Sequence, residues 1–308
     1  MSFTLRFLGT VASRPTVERS VSALAMMREG ETLLFDCGEG TQRQMMRYGI
    51  SFALNDIFIS HWHHDHFLGL PGFLRTLALQ GRTDALRLWG PTGSAKLIRQ
   101  SDLLGAERMP FELVVEDLAP GSAIKRKDYS IVPFAVQHRG ANALGFAIVE
   151  ETRRGRFNVE LVRELGIPEG PQWGRLHKGE SLTLDDGRVV TAAMVVGPER
   201  PGRTVVFSGD TRPCEATAEL ARGADLLVHE ATFGDEEAPR AVETGHSTAR
   251  EAAEIAARAG VKRLVLTHVS ARYSGDTSEL EQQARQVFAA TTVARDGLEV
   301  DVPFASAD

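Results

Sequence analysis

Cysteine is nearly absent from this chain: Cys37 and Cys214 are the only two among 308 residues. A disulfide framework and a four-thiolate zinc site are therefore both excluded, and so sparse a thiol content suits a reducing compartment. Equally missing is any run approaching the ~20 consecutive apolar residues of a membrane-spanning helix. The opening residues Met1-Ser2-Phe3-Thr4-Leu5-Arg6-Phe7 carry no basic segment followed by an apolar stretch and a cleavage site, so they read as an entering strand, not an export leader. A cytoplasmic protein with no membrane association is the expectation. Excess positive charge is lacking as well, since the formal net charge of −6 gives no global attraction for a polyanion. Nucleic acid would have to be gripped locally, and basic residues do gather at Lys125-Arg126-Lys127 and Arg153-Arg154-Gly155-Arg156.

What is present is an ordinary globular composition, 43% hydrophobic and 25% charged, on a chain long enough to bury a substantial core. No 20- to 50-residue repeat or low-complexity tract interrupts it. Short apolar runs at Thr32-Leu33-Leu34-Phe35, Ile57-Phe58-Ile59, Thr204-Val205-Val206-Phe207, Asp225-Leu226-Leu227-Val228 and Arg263-Leu264-Val265-Leu266 have strand length and end at polar loops. Helical patterns fall between several of them. The clearest covers residues 248–259, with Thr248 and Glu251 spaced as a capping box and Gly260 as a C-terminal cap. This is an α/β pattern, and its reactive residues follow strand ends, where ligands bind in such folds. Residues 156–203 break the alternation with a Gly- and Pro-rich stretch that reads as an insertion within a single domain spanning 1–308.

Ser60-His61-Trp62-His63-His64-Asp65-His66 places four of the nine histidines and an aspartate directly after a strand. Imidazole nitrogen with carboxylate oxygen is a ligand set for zinc, whereas magnesium or calcium takes mostly oxygen. Five candidate donors in one loop exceed what a single tetrahedral ion accepts alongside outside ligands and water, so two ions are expected. His61 and His63 would address one ion, and Asp65 and His66 the other. Outside donors follow other apolar segments: His138, His268, and Asp210, whose two carboxylate oxygens could bridge.

The order His-x-His-x-Asp-His, a later lone His, Gly-Asp-Thr and a final Thr-His resembles the metallo-β-lactamase superfamily, whose fold is an αββα sandwich. The further strings Leu8-Gly9-Thr10, Phe67-Leu68-Gly69-Leu70-Pro71-Gly72, Gly209-Asp210-Thr211-Arg212-Pro213-Cys214, His229-Glu230-Ala231-Thr232-Phe233, Gly245-His246-Ser247-Thr248-Ala249 and Leu266-Thr267-His268-Val269-Ser270-Ala271-Arg272-Tyr273 are similar to the short form of the tRNase Z, or ribonuclease Z, family. The resemblance runs from residue 5 to about residue 275. It implies one zinc ion on His61, His63 and His138, a second on Asp65, His66 and His268, and a bridge at Asp210. It also implies a homodimer acting on precursor tRNA, with the inserted 156–203 segment as a flexible tRNA-clamping arm that includes Gly170 and Pro171, and with Arg272 as a further substrate contact. Two positions depart from the family: His64 stands where glycine is usual in the bacterial enzymes, and Ser20 where asparagine is usual. His64 is expected to lie outside the ligand set.

The implied reaction is hydrolysis of a phosphodiester that leaves a 3′-hydroxyl on tRNA and a 5′-phosphate on the released trailer. Asp65 is the expected proton acceptor for water. Glu230 and His246 are the expected pair that protonates the leaving oxygen, the carboxylate orienting the imidazole. Asp36 is expected to hydrogen-bond the metal loop rather than bind metal. A small-molecule or cyclic-nucleotide phosphodiesterase on the same site is the rival, and the 156–203 insert would be dispensable to it.

Overall fold

In the computed structural model, which describes residues 2–100 and 109–305, the chain divides into two compact units, residues 1–149 with 203–308, and residues 150–202. The larger unit holds two seven-stranded sheets. One runs, in spatial order, Glu299–Asp301, Phe3–Gly9, Ala23–Arg28, Glu31–Phe35, Asp56–Phe58, Leu86–Pro91 and Leu113–Leu118, antiparallel at first and parallel from Glu31–Phe35 onward. The other runs Thr291–Val293, Leu264–Thr267, Leu226–Glu230, Thr204–Phe207, Leu144–Glu150, Tyr129–Ala135 and Ile124–Lys125.

Strand periodicity decides which side chains meet. Side chains alternate across a sheet, so Phe3, Leu5 and Phe7 join a core with Leu33, Phe35, Phe146, Ile148, Val205, Phe207 and Val228, drawn from both sheets. The opposite face of the first sheet, including Leu34 and Ile57, is covered by Met45 of helix Thr41–Arg47 and by Phe73, Leu74 and Leu77 of helix Leu70–Leu79. Val206, Leu227 and Leu266 of the second sheet lie under Ala218 of Glu215–Leu220, under Ala252, Ala253 and Ala256 of Ala249–Ala259, and under Leu280 of Ser278–Arg285. The result is four layers, helix, sheet, sheet, helix. Each fully buried Leu or Phe contributes roughly 1.5–3 kcal/mol, so this layering is where the stability of the unit resides.

The five expected strands are all present, with ends moved by a residue or two, and the expected helix spans Ala249–Ala259 with its capping box at Thr248 and Glu251 and a left-handed Gly260 cap. An aromatic knot fixes three strand ends. Phe35 stacks on Phe58 with centroids 4.9 Å apart, Phe146 meets them edge-on at 5.3 and 5.6 Å, and Phe207 lies 6.1 Å from Phe35. Phe35, Phe58 and Phe207 are each the last residue of a strand, and the candidate site residues follow immediately.

The smaller unit begins at residue 150 rather than 156, and it is folded rather than irregular. Helices Val159–Glu164, Pro171–His177 and Ala192–Val195 and a hairpin of Leu182–Thr183 with Val189–Val190 enclose Val162, Ile167, Leu176, Leu182, Val190 and Val195. Its glycines and prolines punctuate short elements instead of preventing them: Pro171 sits at the first position of its helix, where no backbone N–H is needed. Arg203, read from sequence as the end of the insert, belongs to the larger unit, where it is buried and stacked 3.9 Å from the Phe304 ring centre.

Candidate metal centre

The histidine loop leaves strand Asp56–Phe58 and enters the short helix His64–Phe67. It is fastened from behind. Cys37 N donates to His66 O at 2.8 Å and Gly69 N to Cys37 O at 2.9 Å. Glycine is required at 69 because a Cβ there would lie 2.0 Å from the Gly38 carbonyl oxygen. Asp36, in the left-handed region at φ 59°, accepts from Ser60 N at 2.8 Å and from His66 Nδ1 at 2.7 Å. It therefore supports the loop from the second layer of contacts, as its position after a strand implied.

In the cluster, five imidazoles have Nδ1 engaged by an oxygen: His61 by Ser60 Oγ (3.1 Å), His66 by Asp36 (2.7 Å), His138 by the Gly245 carbonyl (2.9 Å), His268 by Thr232 Oγ1 (3.1 Å) and His246 by Glu230 Oε1 (2.8 Å). A neutral ring that donates from Nδ1 presents a lone pair at Nε2. The Nε2 atoms of His61, His66 and His268 lie 3.8, 3.2 and 3.4 Å from Asp210 Oδ2. His268 Nε2 is also 3.3 Å from Asp65 Oδ2, and His138 Nε2 is 3.0 Å from His63 Nδ1. Donor atoms of His61, His63 and His138 all fall within 4.8 Å of one another, as do those of Asp65, His66 and His268, and those of His61, His66 and Asp210. All seven residues expected as ligands are thus brought together. His64 is exposed and outside these groups, with its ring 5.9 Å from Phe67.

These residues fit a cation. His61 Nε2 is buried with no hydrogen-bond partner among the described residues, a costly condition for a polar atom that an ion would relieve. Burial first, and neighbouring imidazoles second, drive His61 well down in pKa and lower His63, which keeps both neutral and able to coordinate. Asp65 and Asp210 stay ionised although burial opposes it, because His268 and His66 hold both carboxyls below their ordinary range. A buried cluster of lone pairs and carboxylate charge, all nitrogen and oxygen, suits zinc chemistry.

A curated relative named Ribonuclease Z, from Gemmatimonas aurantiaca, is 64% identical over 303 residues, covering 98% of this chain and 96% of its own length. The chain belongs to the ribonuclease Z family. Among solved structures, human tRNase Z, short form, is 29% identical with a TM-score of 0.70, covering 98% of this chain and 100% of that one. A metallo-β-lactamase fold protein from Bacillus subtilis, 17% identical, shares the fold at a TM-score of 0.70. The family described as beta-lactamase superfamily domain matches residues 173–269, and that described as anti-Pycsar protein Apyc1 matches residues 3–137. The four-layered unit is the metallo-β-lactamase sandwich on which ribonuclease Z proteins are built.

Beside the cluster, a cleft of about 450 Å³ is lined by Ser13, Arg14, Phe233, Arg240, His246 and Arg272, among others. Burial works against a charged His246, but Glu230 more than offsets it and Asp210 adds to the effect, so this imidazole is pushed up to about 9. Arg272 borders the same cleft and is ion-paired with Glu237. Gly170 and Pro171 lie in the smaller unit at the start of a helix. Several contributors escaped sequence reasoning: Ser60 and Thr232 as oxygen partners for imidazoles, Ser13 N, which donates to Asp65 Oδ2 at 2.7 Å, and the cleft residues Arg14, Phe233 and Arg240. Only the adjacency of Ser60 to His61 and of Thr232 to Glu230 hinted at the first two. No helix among the described residues is long and apolar enough to cross a membrane.

Proposed function

We propose that this chain is an endoribonuclease that removes the 3′ trailer from precursor tRNA, with one zinc ion held by His61, His63 and His138, a second by Asp65, His66 and His268, and Asp210 between them. The observation that carries this reading is the placement of the Glu230–His246 pair against the ligand cluster, on a cleft bordered by Arg14, Arg240 and Arg272. Family membership and the human tRNase Z neighbour support the choice of tRNA. Zinc, when bound, supplies Lewis acidity toward the phosphate oxygens and a nucleophilic water at neutral pH.

The chain's own residues supply the rest. Asp65, fixed by Ser13 N and anionic, accepts the proton of the attacking water. As the water oxygen bonds to phosphorus, the bond from phosphorus to the 3′ oxygen breaks. His246, protonated at neutral pH with Nδ1 held by Glu230, delivers its Nε2 proton to that oxygen and becomes neutral, and Glu230 stabilises the imidazolium up to that transfer. The tRNA keeps a 3′-hydroxyl and the trailer leaves with a 5′-phosphate. Arg272, which lines the cleft, is the residue proposed to meet a phosphate or base near the scissile bond.

The smaller unit is proposed as the part that holds the tRNA body, with Gly170 and Pro171 within it. Supporting this, Arg154, Arg156, His177 and Lys178 border one cavity of about 1100 Å³, a local cationic surface on an acidic chain. The same reading carries a homodimer working in the cytoplasm, and two buried free cysteines suit that compartment. Because the buried residues of the smaller unit pack on one another, replacing residues 159–195 by a short Gly/Ser linker should spare the zinc site. Hydrolysis of a small chromogenic phosphodiester should then persist while precursor tRNA cleavage falls steeply and loses its salt dependence. A deleted protein that still cut precursor tRNA at full kcat/KM would favour a small-phosphodiester enzyme instead.

A further inference from the structure

Two buried carboxylates each govern a pair of imidazoles, one directly and one through a hydroxyl. Asp36 Oδ2 bonds His66 Nδ1 at 2.7 Å and accepts from Ser60 Oγ at 3.1 Å, and Ser60 Oγ lies 3.1 Å from His61 Nδ1. Glu230 bonds His246 Nδ1 at 2.8 Å through Oε1 and accepts from Thr232 Oγ1 at 2.9 Å through Oε2, while Thr232 Oγ1 lies 3.1 Å from His268 Nδ1. A hydroxyl has one proton to give. If it gives that proton to the carboxylate, its oxygen can only accept from the imidazole, which forces the ring proton onto Nδ1.

We infer that Ser60 and Thr232 are positioning residues that lock His61 and His268 in the tautomer with Nε2 unprotonated, each serving a different ion of the pair. The inference rests on the two-ion reading above. The two hydroxyls bond histidines of different groups, His61 with His63 and His138 and His268 with Asp65 and His66, and Ser60 Oγ approaches His66 Nδ1 only at 3.4 Å, where Asp36 is the nearer partner at 2.7 Å. Neither hydroxyl is needed to hold the backbone, because Ser60 N still donates to Asp36 Oδ1 and Thr232 N to Glu230 Oε2 without it. The whole arrangement is buried, with Asp36, Ser60, Glu230 and Thr232 all among the buried polar residues, so water is a poor substitute for the lost oxygen.

The test is zinc titration into the metal-stripped full-length protein, followed through the imidazole nitrogen resonances, which report both tautomer and ion occupancy. In Thr232→Val the affinity sensed at His268 and His66 should fall by roughly 10- to 100-fold, the usual effect of losing an outer partner of a ligand, while that sensed at His63 and His138 holds. Ser60→Ala should do the reverse. Thr232→Ser and Ser60→Thr should restore wild-type binding, and His246, bonded directly to Glu230, should keep its Nδ1 proton in Thr232→Val. Equal losses at both ions in each variant, or unchanged affinities with the Nδ1–H tautomers intact, would overturn the relay alone. A wild-type protein that takes up no zinc would overturn the two-ion reading and the relay with it.

Discussion

His246 Nδ1 donates to Glu230 Oε1 across 2.8 Å, and that carboxylate also accepts from Thr211 N, Thr232 N and Thr232 Oγ1. So many donors fix Glu230 in place and in charge. In the metal-free chain the imidazole consequently titrates at about 9 instead of 6.5, despite burial that opposes it. Because the folded value is raised, the contribution of the pair to stability is complete below about pH 6.5 and is lost as pH rises through about 9. Glu230→Gln should move the His246 midpoint downward in an NMR titration of metal-free protein and flatten this limb of the stability profile. An unmoved midpoint would mean that Glu230 is not the group holding the proton.

Loss of the proton donor should be separable from loss of metal. His246→Ala should retain zinc near the wild-type content while cleavage of precursor tRNA slows by roughly the 10²- to 10⁴-fold of a missing general acid. Zinc leaving together with activity would make His246 a ligand or a purely structural residue.

Asp210 is the opposite case. Its Oδ2 lies within 4 Å of Nε2 of His61, His66 and His268, so Asp210→Ala should lower both zinc content and activity, as metal analysis would show. Full occupancy of two ions in the purified variant would contradict a shared ligand.

Gly69 offers a stability test away from the donors. A methyl group there meets a backbone carbonyl at 2.0 Å rather than a side chain that can swing aside. Gly69→Ala should therefore cost at least the roughly 1–3 kcal/mol typical of overpacking, read as a lower urea midpoint, and should weaken zinc binding by shifting the loop it braces. A variant as stable as wild type would show that the helix Leu70–Leu79 can move freely.

Much of this was legible in sequence where the signals are local. The capping box of Thr248 and Glu251 lies within one helical turn, and strand ends announce themselves when an apolar run meets Ser60-His61 or Gly209-Asp210. The partners of those residues were not legible, because they come from far along the chain: Asp36 reaches His66 across 30 residues, Gly245 reaches His138 across 107, and Asp65 meets His268 across 203. The compactness of residues 150–202 was hidden for another reason. Its core is assembled from single apolar residues in elements of two to seven residues, too short to show a period against their glycines and prolines.

The aromatic knot gives the site an unusual kind of fragility. Phe58 is clamped in the core, and two residues later the chain delivers Ser60 to Asp36 and then His61 to the cluster. Ser60 sits at a bend two residues past the strand end, so the length of this stretch matters as much as its spelling. Inserting one residue between Ser60 and His61 would leave Phe58, Ile59 and Ser60 in place and every donor in the inventory, yet would carry the imidazole away from the cluster. Such a frameshift in space should yield a protein that folds with near-normal stability and binds metal poorly.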